Sequence, residues 1–486
     1  MPDNGGMARP DRVRALTESL LRWLLLPILL GLLLVAVSGS FAEHPARHLS
    51  GLAMAGLGWL LAVALARSTG GEEAANPALG WILLGSLALH LVAWGGNAQL
   101  SDDVQRYIWE GHLVLEGESP WAAAPDAPER AAQREARPEL FRRVNHPSVS
   151  AAYPHLTQAA NALVVAAAGA TTEVLGGNEQ RRGPAAMGLF YGLWSLAISW
   201  PLSRLLRRRG LSPRLLVVWA WCPLVPLEFA DSAHLDSLGI FLLLAALDLF
   251  EGARSTSGEP QDESGPPGES VGVLLLAAGI LVKFLPLCLL PALLRGRRAG
   301  QRMALLLLGL LALALPFLLL SGGLQGWTTG LGQYALKWES PNLLYRVVEG
   351  ALTPFNSLAP GTPAEALGRI LAGLILLALA VGAWRLRVEP LETGAALLAG
   401  YLLLSPTLHP WYLTWIIPFL AFLPAARARP WLWLIFCAPL LYWPLTEYQA
   451  GRGWLEPSWL WPVIVLPFAG LWWAGRRRQL LAPLLP

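Results

Sequence analysis

Long apolar runs separated by short polar segments dominate this chain from end to end. A helix needs about 20 apolar residues to span the hydrocarbon of a bilayer, and fewer where neighbouring helices shield it. On that criterion the pattern predicts about fourteen transmembrane helices. They lie near residues 20–41, 49–66, 78–96, 185–203, 213–229, 233–250, 270–283, 284–295, 301–320, 366–384, 391–405, 411–425, 430–445 and 458–474. The sequence therefore predicts an all-α polytopic bundle that forms one integral membrane domain over residues 1–486.

Three polar segments interrupt the apolar pattern, at residues 97–184, 251–270 and 321–365. Residues 251–270 are rich in Ser, Gly, Pro and acidic side chains, a composition that is typical of a disordered linker. The other two segments are each predicted to be a loop between crossings, and the first of them, 97–184, carries most of the polar residues that could form a site. Within the first, the apolar stretch 156–170 is predicted to lie at the membrane surface.

Composition supports the membrane assignment. Hydrophobic residues make up 54% of the chain and charged residues 14%, which excludes an ordinary soluble globular class. The net charge of +3 says little, because a membrane protein distributes its charge by side. The charge pattern does not indicate nucleic-acid binding. Three isolated cysteines lie in apolar runs, so they predict core packing and not a disulfide framework or metal site: Cys222, Cys288 and Cys437.

Basic residues indicate the orientation of the chain in the membrane. They cluster at 204–214, 295–302 and 476–478, and all three clusters face the cytoplasm if the N-terminus does. This threading predicts a multi-pass protein of the cell (inner or plasma) membrane with both termini in the cytoplasm. It places the segments 97–184 and 321–365 on the extracytoplasmic face, and the linker in the cytoplasm.

The first densely polar run begins at Asp102, where the third predicted crossing has ended. Ser101 can cap a helix that runs to about residue 116, with Asp102 and Asp103 in its first turn, where the helix dipole favours carboxylates. Arg106 lies four residues from both Asp102 and Glu110, so ion pairs are expected to hold it. The apolar positions form one stripe that would lay the helix in the membrane interface: Val104, Tyr107, Ile108 and Leu115. Helix capping alone would also explain the acids.

Further polar residues recur at the predicted extracytoplasmic ends of distant segments. They are Asn145, His146, Tyr153, Gln158, His234, Asp236, Lys283, His409 and Tyr412. A charge near the bilayer centre costs about 2.5–3.5 kcal/mol, so the acids and His within an apolar hairpin indicate a polar cavity or a function. Snorkelling would explain Lys283 as well, and an aromatic belt would explain Trp411, Tyr412 and Trp415.

Taken together, these motifs resemble the multi-pass glycosyltransferases of the GT-C fold, and more narrowly their bacterial mannosyltransferase-like branch. The similar segments, in order, are Asp103 to Gly111, Pro120-Trp121, Asn145-His146-Pro147, Tyr153 to Gln158, His234-Leu235-Asp236, Lys283 to Pro286 and His409 to Tyr412. The resemblance covers most of the chain. It implies a GT-C-like bundle whose large first extracytoplasmic loop contains interfacial helices.

The resemblance also implies an inverting sugar transfer, with mannose as the expected sugar. The donor would be a polyprenyl-phosphate sugar in the membrane, and the acceptor a glycolipid or glycan on the extracytoplasmic face. Asp103 is the expected general base and Asp102 the alternative. The expected ligands of the donor phosphate are Arg106, Lys283, His234 and His409. The expected substrate contacts are Tyr107, Glu110, Asn145, His146, Tyr153, Gln158, Asp236 and Tyr412.

No cofactor is assigned. A divalent metal stays open, because some members of the superfamily use one. Two adjacent Asp on one helical turn make a poor cage for a cation, so no metal ligand is assigned. Two other functions share these features. A lipid-linked sugar flippase or transporter would have similar crossings, although its polar residues would follow a path to both sides. A glycan polymer ligase would differ in its donor.

Overall fold

The computed structural model describes residues 9–68, 77–96, 100–175, 179–255, 268–338, 342–352, 364–453 and 455–481. Within these ranges the regular elements are helices, and extended pairing is limited to an isolated bridge between Glu118 and Ser321. The predicted all-α class is confirmed.

The helices follow one another with short connections. The α-helices are α1 (Arg9–Val37), α2 (Pro45–Ser68), α3 (Pro77–Trp94), α4 (Asp103–Leu115), α5 (Ala131–Ala136), α6 (Pro138–Phe141), α7 (His155–Leu175), α8 (Glu179–Ala197), α9 (Ser199–Arg208), α10 (Val217–Ala220), α11 (Leu224–Pro226), α12 (Asp236–Ser255), α13 (Glu269–Val282), α14 (Leu290–Leu293), α15 (Ala299–Ala314), α16 (Thr329–Lys337), α17 (Leu343–Leu352), α18 (Ala364–Arg385), α19 (Pro390–Leu404), α20 (Pro410–Leu413), α21 (Ile417–Leu420), α22 (Ala425–Cys437), α23 (Trp443–Gln449) and α24 (Leu460–Leu481). Among the described residues the 3-10 segments are Pro128–Arg130, Pro213–Leu216, Leu285–Leu289, Leu315–Leu319 and Ala438–Tyr442, and Leu227–Asp231 is a π-helix.

Several of these helices are long and apolar enough to cross a membrane. Among the described residues five qualify, namely Leu16–Val37, Pro45–Ser68, Arg182–Arg208, Ala299–Leu319 and Ala366–Arg385. A sixth is obtained if the bent pair Pro213–Ala220 and Leu224–Asp231 counts as one span. These helices support a membrane protein, whereas the number of about fourteen crossings stays a prediction.

Helices lie within all three predicted polar segments. The linker 251–270 is shorter than predicted, because α12 continues to Ser255 and α13 begins at Glu269. Its central part, 256–267, lies outside the described residues. The segment 97–184 contains α4 to α7, and 321–365 contains α16 and α17. Residues 97–99, 176–178, 339–341 and 353–363 of these segments lie outside the described residues.

Close contacts divide the chain into two compact units. The site unit, as it is called below, comprises residues 99–201 and 228–416, and it contains nearly all of the residues singled out by the sequence. The other unit comprises residues 1–98, 202–227 and 417–486. In that unit the buried indole of Trp59 donates to the carbonyl of Val217 over 3.2 Å.

The core of the site unit is built around α4, which packs against α7 and α8, while α12 packs against α8 and α13. Val104, Tyr107 and Ile108 are buried in this core, and Leu115 is exposed. The apolar stripe of α4 therefore faces mainly protein. The sequence predicted that this stripe would lie in the membrane interface, but α7 and α8 cover most of it.

Gly111 allows the close approach of α4 and α7. A Cβ at this position would lie 2.8 Å from the backbone oxygen of Asn161 and 2.8 Å from a methyl group of Val165. We expect Gly111→Ala to destabilise the protein by about 1–3 kcal/mol, because overpacking against backbone forces the helices apart. The matched control is Gly169→Ala on α7, where a Cβ would have no neighbour within 4 Å and helix propensity should improve. In detergent, the unfolding temperature of Gly111→Ala should fall below that of wild type, and that of Gly169→Ala should rise above it.

Candidate active site

Asp103 begins α4 and is held from two sides. Its backbone N–H donates to Ser101 Oγ over 3.2 Å, although Asp102 and not Ser101 occupies the N-cap position of the helix. The Asn145 amide nitrogen donates to Asp103 Oδ1 over 2.6 Å and to Asp102 Oδ1 over 2.8 Å. Burial and the neighbouring charge of Asp102 raise the pKa of Asp103 to about 6, against the opposing effects of the Asn145 hydrogen bond, Arg106 and Lys283. Asp103 is therefore a carboxylate at neutral pH with an enhanced affinity for a proton.

Arg106 anchors the loop that carries Asn145. Its Nε pairs with Glu110 Oε1 at 2.9 Å, as the four-residue spacing predicts. Its Nη1 donates to the carbonyls of Asn145 and His146, each over 3.2 Å, and its Nη2 donates to the carbonyl of Val149. All three guanidinium nitrogens are thus bonded within the protein. Arg106 is therefore better placed to position the loop than to contact a phosphate directly.

Glu110 and Gln158 extend this buried network. Glu110 is 1% exposed and accepts from the Gln158 amide over 2.8 Å in addition to its pair with Arg106. The same amide nitrogen lies 3.4 Å from the carbonyl of Tyr153. Both residues are predicted substrate contacts, and in the structure both are joined to this hydrogen-bonded network.

Lys283 and Asp236 form an ion pair on the other side of the site. Lys283 Nζ lies 2.7 Å from Asp236 Oδ1, which also accepts from the Trp415 indole over 2.5 Å. The ammonium lies 4.2 Å from the ring centroid of Tyr412 and 5.7 Å from that of Tyr153. Asp236 is fully buried, whereas the Lys283 side chain retains 11% exposure. The ammonium of Lys283 thus lies beside aromatic rings and is partly neutralised by one carboxylate.

Two histidines reach the site by stacking on one tryptophan. His234 stacks on Trp411 at 4.0 Å between centroids, and His409 stacks on the same ring at 4.3 Å. His234 is fully buried, with Nδ1 3.8 Å from Asp103 Oδ2. The structure therefore brings His234 and Asp103 together, although 131 positions separate them in sequence.

The remaining predicted residues lie around this group. Tyr107 is fully buried and packs edge-on against Tyr153 at 5.8 Å. His146 is exposed, adopts a positive φ of 43° and packs edge-on against Trp338 at 4.6 Å. The Tyr412 hydroxyl is hydrogen-bonded to that of Tyr334.

Sequence reasoning did not assign several residues that belong to this group. Glu228, the nearest carboxylate to His234 Nε2 among the described residues at 3.4 Å, was noted only as a charge in an apolar hairpin. Trp411 and Trp415 are 9% and 0% exposed, so they pack inside the site unit and are not a lipid-facing belt. The available signal was the density of acids in that hairpin, together with the aromatic residues that follow His409.

The described residues do not form a metal centre. Among them no group of three or more His, Cys, Asp or Glu side chains could hold a metal ion. Asn145 donates to one oxygen of Asp102 and to one oxygen of Asp103, and these two adjacent acids alone make a poor cage for a cation.

Comparison with known proteins supports a transferase. Residues 182–406 match glycosyltransferase family 87, a segment that includes Glu228, His234, Asp236 and Lys283 and leaves Asp103 outside. No curated protein and no solved structure matches the chain significantly. With the apolar helices, the match supports a membrane glycosyltransferase, which acts on a sugar donor and an acceptor. The prediction of a transferase enzyme is thereby confirmed.

Proposed function

We propose that the protein transfers a sugar, with mannose as the first candidate, from a polyprenyl-phosphate donor to a glycolipid or glycan acceptor. The observation that carries the proposal is the Asp103 carboxylate, whose pKa is raised to about 6 and which an amide hydrogen bond holds in place. The similarity to glycosyltransferase family 87 supports the reaction class. The proposal places the reaction on the extracytoplasmic face of a GT-C-like bundle of about fourteen crossings, with both termini in the cytoplasm.

In the proposed reaction the acceptor hydroxyl attacks the anomeric carbon as Asp103 takes its proton. A bond forms between the acceptor oxygen and that carbon, while the bond from the carbon to the phosphate oxygen breaks. The electron pair leaves with the phosphate, and attack from the opposite face inverts the anomeric configuration. A positioned base contributes about 10²–10⁴-fold, so stabilisation of the departing phosphate must supply much of the remaining acceleration.

We assign stabilisation of the phosphate to Lys283 and His409, which keep some exposure while they face the site. Lys283 is flanked by aromatic rings, which leave its ammonium less hydrated and therefore a stronger partner for an anion. Arg106 acts indirectly, because it holds the loop that presents Asn145 to Asp103. The amide of Asn145 then keeps the base in one orientation.

The proposal places the site on the extracytoplasmic face, which nucleotide sugars do not reach because they are confined to the cytoplasm. A lipid-linked donor therefore suits this site. The direct test is sugar transfer by the purified protein from radiolabelled polyprenyl-phosphate mannose, compared with GDP-mannose, to a series of lipid-linked and soluble glycan acceptors. Transfer from the lipid donor alone supports the proposal. Transfer from the nucleotide sugar, or movement of the lipid-linked sugar across vesicles without transfer, would overturn it.

The pH dependence of transfer follows from the protonation of Asp103. The carboxylate form is the active base, and its pKa is raised to about 6. Turnover should therefore be flat above neutral pH and fall about tenfold per pH unit below pH 6, as protons fill the base. Initial rates with saturating donor between pH 4.5 and 8.5 test this. If the rate fell only near pH 4, the ordinary pKa range of Asp, the base would not be a carboxylate in surroundings that raise its pKa.

A further inference from the structure

Glu228 and His234 form a buried pair directly behind Asp103. His234 Nε2 lies 3.4 Å from Glu228 Oε2, and its Nδ1 lies 3.8 Å from Asp103 Oδ2. The side chains of Glu228 and His234 are both 0% exposed. Burying ionisable groups is costly unless they are paired, so a carboxylate and an imidazole at this depth require an explanation beyond packing.

An unusual backbone segment brings the pair together. Glu228 lies in the π-helix Leu227–Asp231, and π-helical turns are often found at functional sites. Ala233 then adopts a φ of +60°, a conformation that is strained for a residue with a Cβ. This turn lets the backbone N–H of His234 donate to the carbonyl of Glu228 over 2.8 Å. The local strain is therefore linked to the placement of these two side chains.

The orientation of the imidazole is fixed, but its hydrogen bonds are incomplete. Trp411 stacks on the ring with an interplanar angle of 18°. Within the described residues neither ring nitrogen has a hydrogen-bond partner of good geometry, although each faces a carboxylate. Catalytic hydrogen bonds are often long in the absence of substrate and tighten when it binds. Asp103, Glu228, Lys283 and His409 are the ionisable groups that face this ring.

We propose that Glu228 is a positioning residue that accepts the Nε2–H of His234 and so keeps Nδ1 unprotonated toward Asp103. The proposal rests on the proposed function, in which Asp103 takes the proton of the acceptor hydroxyl. His234 then becomes the second proton acceptor of the site. A carboxylate that fixes the tautomer of a histidine is a common arrangement around catalytic and metal-binding imidazoles.

The proton transfer balances without any further reactant. After sugar transfer Asp103 carries the acceptor proton on a carboxyl oxygen. That O–H bond breaks as an N–H bond forms at His234 Nδ1, which returns Asp103 to a carboxylate. The imidazolium then lies between the carboxylates of Asp103 and Glu228, whereas burial, Lys283 and His409 disfavour its charge, so it forms only transiently before the proton passes on. Only a proton moves, so the total charge of the three side chains stays the same during this step.

Glu228→Gln tests the proposal because it removes the charge and keeps the shape. We expect kcat to fall about 10–100-fold, the range found when the carboxylate partner of a functional histidine is lost. KM for donor and acceptor should not change, because Glu228 acts on the orientation of His234 and not on substrate binding. In a His234→Gln background, Glu228→Gln should cause no further loss, since Glu228 acts through His234. Additive losses, or a raised KM at wild-type kcat, would overturn the proposal.

Asp248→Asn is the matched control. Asp248 is a buried carboxylate, 1% exposed, on α12 of the same unit, and it is not part of the site. Its variant tests whether any loss of a buried charge lowers kcat, and we expect kcat and the pH profile to stay at wild-type values. If Glu228→Gln does not fold, Glu228→Asp keeps the charge but withdraws the carboxylate by one methylene. The proposal then requires a lower kcat at an unchanged unfolding temperature, and wild-type kcat would contradict it.

A measurement that needs no turnover separates this proposal from the proposed function. The chain has 8 histidines, so ¹⁵N-histidine labelling gives a spectrum in which the signals lost in His234→Gln identify His234. We expect an Nε2–H tautomer with an unprotonated Nδ1. The opposite tautomer would refute the positioning role of Glu228 even if sugar transfer is observed. Conversely, a wild-type protein with the expected tautomer and no transfer would count against the proposed donor class alone.

Discussion

Asp103→Asn should lower the rate of sugar transfer by about 10²–10⁴-fold, the contribution of a positioned base. The amide has the shape of the carboxylate and its oxygen can still accept from Asn145, so the site should keep its geometry. It cannot take a proton from the acceptor hydroxyl. KM for the donor should stay close to wild type, because the phosphate is assigned to other residues. Transfer of radiolabelled mannose from the polyprenyl-phosphate donor is the measurement, and an undiminished rate would remove Asp103 from the role of base.

Asp102→Asn is the matched control for this experiment. Asp102 is exposed, shares the Asn145 amide with Asp103 and contributes to the raised pKa of Asp103 through its charge. Its removal should lower the pKa of Asp103 and so move the acid limb of the rate profile to lower pH, with a rate at neutral pH within a few-fold of wild type. If Asp102→Asn abolished transfer and Asp103→Asn did not, the two acids would exchange roles.

The local structure at the start of the site could be predicted from sequence. The acids after Ser101 and the four-residue spacing of Arg106 and Glu110 predicted a helix with an internal ion pair, and both are present in α4, which begins one residue later than predicted, at Asp103. Such features depend on neighbours within one or two helical turns, and their spacing is written directly in the chain. The overall all-α class followed in the same way from apolar run lengths.

The contacts between segments could not be predicted. The stacking of His234 and His409 on Trp411 depends on tertiary packing that no local pattern specifies. For the same reason the apolar stripe of α4 was assigned to the membrane interface, although α7 and α8 bury most of it. Glu228 was left out of the predicted site because an acid at one end of an apolar hairpin does not reveal its partner. The cost of burying polar groups indicated the segments in which these residues lie, but not which residues contact one another.

The ion pair of Lys283 with Asp236 combines a structural and a proposed catalytic role, and a single substitution cannot separate them. Lys283→Met would leave the carboxylate of Asp236 fully buried without its cation. Breaking a buried pair in this way costs about 3–5 kcal/mol, because one charge remains uncompensated. A loss of activity in that variant could therefore result from unfolding alone. Lys337→Met, at the other lysine of the chain, removes a cation from an exposed position and should change neither stability nor transfer.

The double variant Lys283→Met with Asp236→Asn resolves the two roles. Replacing both partners removes the buried charges together, while the asparagine oxygen can still accept from the Trp415 indole. We expect the apparent unfolding temperature in detergent to recover most of what Lys283→Met alone loses. Transfer should nevertheless stay at least about 10²-fold below wild type, because the cation that stabilises the departing phosphate is absent. If the double variant regained wild-type transfer, Lys283 would serve only to neutralise Asp236, and the charge at the phosphate would have to come from elsewhere in the site.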